Sequence, residues 1–186
     1  MNEAIINAAA KLFAEKGYYS TSMDDVAREA GVAKGSLYYH FKNKSQLYLE
    51  TVLNGVEYYK GEIRKIYGSD APASQMAREI IRLLVGIFDN NGALADMVMT
   101  GADAGVDADT AAEIRRAKDS LIATVAGVIE DGAMYGELKQ CQPGATAEAC
   151  ASFIYAYCKA QKRAGRTDTG RTAAEIETLL MKGLLR

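Results

Sequence analysis

AREAGVAKGSLYYHF, residues 27–41, contains the chain's only histidine and two adjacent tyrosines. Gly31 divides a segment ending in AREA from one reading KGSLYYHF, and each is about two helical turns long. Two short helices joined by a tight glycine-containing turn have the length pattern of a helix-turn-helix, whose second helix lies in the major groove of DNA. Helical geometry tests the idea, because each residue advances by about 100°. Ala33, Leu37 and Phe41 fall on one side, while Gly35, Ser36, Tyr38, Tyr39 and Lys42 fan over the other. The inner side is apolar and the outer side carries hydrogen-bond donors. Phosphates need donors and positive charge, and base edges need donors, acceptors or flat apolar surface, so this mixture suits a duplex.

Working outward from that stretch, the period stays helical almost throughout and strand-like alternation is absent. A first helix is expected over about residues 2–16, with Ile5, Ile6, Ala9, Leu12 and Phe13 on one stripe and Gly17 as its C-terminal cap. Ser22 followed three residues later by Asp25 forms a capping box for a second helix, and Asn43 followed by Gln46 opens a long fourth one reaching Tyr67. Further helices are expected at about 73–90, 93–99, 109–135, 146–163 and 172–185, the last opened by a capping box from Thr172 to Glu175. The acids Asp103, Asp107 and Asp109 lack the spacing of a calcium loop and suit helix capping. Three short helices before five or six longer ones predict an all-α chain, with a small N-terminal unit fused to a larger bundle.

Composition narrows the function. Of 186 residues 49% are hydrophobic, enough for a buried core, and no apolar run approaches the roughly 20 residues of a membrane span. No secretory signal precedes the first helix, so a cytoplasmic protein is expected. The net charge of −2 does not itself point to nucleic acid, but between Arg28 and Lys44 four basic residues accompany a single acid, Glu29. Lys44 places one of those cations at the start of the fourth helix, where free backbone N–H groups favour an anion. One histidine excludes His-dependent triads and multi-histidine metal sites outside this stretch. Neither an enzyme, a cofactor nor a metal is expected. Cys141, Cys150 and Cys158 lack CxxC spacing, so no disulfide framework or zinc ribbon is expected.

The segment FAEKGYYSTSMDDVAREAGVAKGSLYYHFKNKSQLY resembles the DNA-binding domain of the TetR family of bacterial transcriptional regulators. The resemblance covers about the first quarter of the chain; the rest is similar only in helical architecture and length. It implies an N-terminal three-helix DNA-binding domain at 1–47 and a helical effector-binding and dimerisation domain at 48–186. DNA contacts are implied for Lys34, Gly35, Ser36, Tyr38, Tyr39, His40 and Lys44, with Thr21 or Ser22 on phosphate. For Tyr38 and Tyr39 core packing competes with this role, and for His40 a packed, capping imidazole does. The preferred reading of Lys42 is a solvated surface charge.

The expected whole is a homodimeric repressor that binds a palindromic double-stranded DNA operator and is released by a largely apolar small-molecule effector. Tyr58, Tyr59, Phe88, Met97, Met134 and Tyr155 are candidates for the effector pocket, and core packing is the competing role for each. Two stripes can form a dimer seam or close the chain's own core. One holds Phe153, Ile154 and Tyr157; the other holds Ile176, Leu179, Leu180 and Leu184. The alternatives are a constitutive DNA-binding protein without effector, and a thiol or metal sensor built on Cys141, Cys150 and Cys158.

Overall fold

The computed structural model describes residues 2–101, 104–166 and 168–184. Eight α-helices carry it: α1 (Asn2–Ser20), α2 (Met23–Glu29), α3 (Lys34–His40), α4 (Lys44–Tyr67), α5 (Ala73–Thr100), α6 (Ala108–Met134), α7 (Pro143–Arg163) and α8 (Thr169–Leu184). The all-α class expected from the helical period is the one observed.

Local capping sets the short helices. Ser22 Oγ accepts from Asp25 N–H at 3.1 Å and Asp25 Oδ2 accepts from Ser22 N–H at 3.3 Å, closing the capping box of α2. Gly31, at φ 66, turns the chain after α2. Asn43 Oδ1 accepts from Gln46 N–H at 2.8 Å to open α4. Asp107 caps α6, its carboxylate accepting from Thr110 N–H at 2.9 Å, whereas Asp103 lies outside the described residues. That bond and the Thr110 hydroxyl hold the Asp107 carboxyl below its ordinary pKa.

Several boundaries differ from expectation. Gly17 (φ 79, ψ 169) breaks α1 without ending it, because the chain resumes helical turns through Ser20. The two helices expected at 73–90 and 93–99 are one, since Gly92 lowers helix propensity without removing a backbone donor as proline would. Pro143 stands at the first turn of α7, where its missing N–H costs nothing, so that helix starts three residues before the expected position. The capping box assigned to Thr172 and Glu175 does not form. Asp168 caps α8 instead, accepting from Arg171 N–H at 2.9 Å, and Glu175 accepts from Tyr157 Oη at 2.8 Å.

The helices pack as two compact units, Met1–Glu57 with Ala93–Lys118, and Tyr58–Gly92 with Asp119–Arg186. In the first, Ile5, Leu37, Leu47 and Val52 are wholly buried, and Tyr48 meets Phe13 edge-on at 4.9 Å. Burial pushes the Tyr48 hydroxyl up to about 12. In the second, Ile63, Leu138 and Ile176 are wholly buried, and Glu177 ties α8 to α5 through Arg78 at 2.5 Å and Arg82 at 2.9 Å. No helix among the described residues is long and apolar enough to cross a membrane.

Candidate nucleic-acid interface

Seven residues make α3, and Leu37 is its buried one. The opposite face stands open. Tyr39 is 86% exposed and Tyr38 51%, Lys34 and Gly35 are exposed, and nothing lies within 4 Å of a Cβ built at Gly35. Ser36 is half-buried. Leu37 and Phe41 are buried as the wheel drawn from sequence has them, and Tyr38 and Tyr39 are not core residues. Ala33, placed on the inner side, is exposed because it stands at the N-cap before the first helical turn. His40 is half-buried, edge-on to Tyr39 at 5.3 Å, and its Nε2 is buried without a hydrogen bond among the described residues.

The positive charges of this face are partly engaged by α2. Lys34 pairs with Asp24 and Arg28 with Asp25, both through exposed side chains on the basic partner. Lys11 of α1 pairs with Glu29 at 2.6 Å. Such surface pairs are worth about 0–1 kcal/mol, so a phosphate can displace the carboxylate at little cost. Lys42 is exposed, as its solvated reading requires.

Two of the residues expected to contact DNA are turned inward. Thr21 is 1% exposed, and its hydroxyl faces the carbonyls of Gly17 at 2.9 Å and Leu12 at 3.1 Å. It seals the broken end of α1, and Ser22, exposed at the cap of α2, is the member of that pair left at the surface. Lys44 is half-buried, its Nζ donating to the carbonyls of Tyr18 at 2.8 Å and Tyr19 at 3.3 Å and lying 4.4 Å from the centroid of the Tyr18 ring. Its ammonium is a cap for α1, which leaves at most one of its three donors for a phosphate. The sequence reading missed Tyr18, Tyr19 and Ser45 as partners here; the doubled tyrosine after Gly17 was their signal.

The residues proposed for an effector pocket do not converge. Tyr58 and Met134 are 60% and 66% exposed, and Met97 is buried in the first unit. Tyr59 is 3% exposed with its hydroxyl unpaired, and burial raises that hydroxyl's pKa. Phe88 meets Tyr155 edge-on at 5.7 Å and lines a depression of about 60 Å³ with Asp89, Cys158 and Lys162. A second depression of about 40 Å³ is almost wholly apolar, lined by Ile80, Leu84, Val128, Ile154 and Leu180 among others.

The dimer assignments divide as well. Ile154 and Ile176 are 4% and 0% exposed inside one chain, so they are core and cannot meet a second copy. Leu179 is 54% exposed, Phe153, Tyr157 and Leu180 are half-buried, and the side chain of Leu184 lies outside the described residues. Burial pushes the Cys158 thiol up to about 11 and raises that of Cys150, so neither favours the reactive thiolate. No group of three or more His, Cys, Asp or Glu suited to a metal occurs among the described residues.

A capped helix pair presenting an open, donor-rich second helix defines a helix-turn-helix protein. Residues 5–51, about a quarter of the chain, match the family model of bacterial regulatory proteins, tetR family. Over 59 residues the chain is 42% identical to IcaR, the negative transcriptional regulator of the biofilm operon icaADBC in Staphylococcus epidermidis; the match spans about a third of each chain, 32%. YhgD, an HTH-type transcriptional regulator of Bacillus subtilis, is 27% identical across 97% of this chain and 94% of its own. The solved structure of the transcriptional regulator FadR from Bacillus subtilis, in complex with stearoyl-CoA, shares the fold at a TM-score of 0.86 and 19% identity, over 98% of this chain and 99% of that one.

Proposed function

We propose that this chain is a homodimeric transcriptional repressor that reads a palindromic operator through α3 and leaves it when a small-molecule effector binds the bundle. The observation that carries the reading is the open face of α3, where Tyr39 is 86% exposed on a helix anchored by a wholly buried Leu37. A large exposed aromatic flanked by Lys34, Gly35 and Ser36 gains nothing for the free chain but suits a groove. IcaR, a negative regulator, supports the sign of the control.

An acyl-CoA thioester is the effector class to test first, supported by stearoyl-CoA in the structure of FadR. The apolar depression between α5, α6, α7 and α8 has the chemistry for an acyl chain, but at about 40 Å³ it holds only a few methylene groups. Such a ligand must part the helices, and it acts by favouring that parted state over the one that binds DNA. Dimerisation uses the exposed rows of α7 and α8, where Ala149, Ser152, Ala156, Ala160 and Ala174 allow close approach around Phe153 and Leu179.

Duplexes enriched from a random pool by the wild-type chain supply the operator. On them Tyr39→Ala is expected to weaken binding by about 1–3 kcal/mol at unchanged helicity. Stearoyl-CoA is expected to release the bound duplex in a gel-shift titration. Affinity unchanged by Tyr39→Ala would remove α3 from the groove, and a duplex that stays bound at saturating acyl-CoA would remove that effector class.

A further inference from the structure

Tyr19 is 76% exposed, yet its hydroxyl donates to the Gly105 carbonyl at 3.3 Å across 86 residues of sequence. Gly105 has φ +86, and a Cβ built there would lie 2.0 Å from Tyr19 Oη. The backbone conformation and the tyrosine together leave room for glycine alone. Two residues on, the Asp107 carboxylate lies near the hydroxyl of Ser45, whose Oγ lies 2.7 Å from Tyr18 Oη. At the other end of the same connector, a Cβ on Gly101 would lie 3.2 Å from Tyr48 Oη. Gly101, Gly105 and Asp107 thus lie against Tyr48, Tyr19 and Ser45, the place where the tail of α1 meets the start of α4.

That place matters for α3. A seven-residue helix with one buried side chain does not fix its own orientation; it inherits it from its neighbours. The carbonyls of Tyr18 and Tyr19 hold Lys44 Nζ at 2.8 and 3.3 Å, and Lys44 follows α3 by four residues. A displacement of the Tyr18–Tyr19 peptide therefore reaches the chain that leaves the reading helix.

We propose that the contact of Gly105 with Tyr19 is a clamp that sets the position of α3 for DNA. Tyr19 and Gly105 are positioning residues that act on each other and on Lys44, without touching DNA. The proposal rests on the DNA-binding reading above. Its test is a double-mutant cycle of Tyr19→Ala and Gly105→Ala, measured on duplexes enriched by the wild-type chain, with helicity and thermal midpoint recorded for each variant. Tyr135→Ala, which removes a tyrosine 75% exposed in the other unit, is the control and is expected to bind as wild type.

Each clamp variant is expected to weaken specific binding about five- to tenfold, and the double variant no more than the weaker-binding single, because both break one contact. Multiplied effects would mean that the two residues act separately, Tyr19 by contacting DNA, and would overturn the clamp. So would wild-type affinity in either single variant, or a loss that only tracks the unfolded fraction. Should Gly105→Ala unfold the chain, Ser45→Ala replaces it in the cycle with the same expectation. A wild-type chain that enriches no duplex would overturn the DNA-binding reading itself, and the clamp with it.

Discussion

The helix-turn-helix and the C-terminal bundle satisfy their polar groups over different distances along the chain. Around α2 and α4 the pairs Ser22 with Asp25 and Asn43 with Gln46 are each three residues apart. In the second unit Tyr67 bonds Asp131, Ser74 N–H donates to Glu137 and Arg78 pairs with Glu177, separations of 64, 63 and 99 residues. Local pairs form as soon as a helix nucleates, whereas distant ones exist only after the helices have docked. The caps of the first region are specified turn by turn, and these ties of the second by packing.

The contrast fails first, and most visibly, at the bundle core. Ile176→Ala is expected to cost about 2–5 kcal/mol in urea unfolding, because the removed atoms leave a cavity against docked helices. A cost near zero would mean that α8 is not held by packing. Ser22→Ala is the corresponding test of the local region: a loss of about 1 kcal/mol is expected, appearing in hydrogen exchange as faster opening of the α2 amides.

Acid gives the smallest and sharpest contrast. The Arg78 guanidinium, with burial opposing and Arg82 assisting, holds the Glu177 carboxyl below its ordinary value of 4.5. A depressed folded-state pKa contributes stability above about pH 4.5 that is lost as pH falls through the folded value. Glu177→Gln is expected to flatten that limb of the stability curve by less than about 1 kcal/mol. A melting midpoint with the same acid dependence in both proteins would take the pair out of the account.

The same difference in range decides what could be read from the residues alone. The α3 wheel from Leu37 to Phe41, the box at Ser22 and the caps at Asn43 and Asp107 depend on spacings of three or four, and they stand as read, whereas Ala33 fell outside the helix and is exposed. Thr21 and Lys44 did not, because a hydroxyl or ammonium that suits a phosphate suits a carbonyl equally, and the broken end of α1 supplies carbonyls. Ile154 and Leu179 both sit on apolar stripes, but which edge of a stripe faces inward depends on neighbouring helices far away in sequence. The join at residues 90–92 was missed for a plainer reason: asparagine and glycine weaken a helix without forbidding it.

The three thiols lie within residues 141–158 and are graded: Cys141 exposed, Cys150 half-buried and Cys158 buried. To an alkylating reagent the bundle is therefore a stopwatch with three hands. Cys141 is modified on contact, while Cys158 waits for α7 to leave its neighbours, so its labelling rate measures how often the bundle opens. A ligand that parts the helices will speed that slow hand, and one that seals them will stop it, with no dye or engineered residue added to the chain.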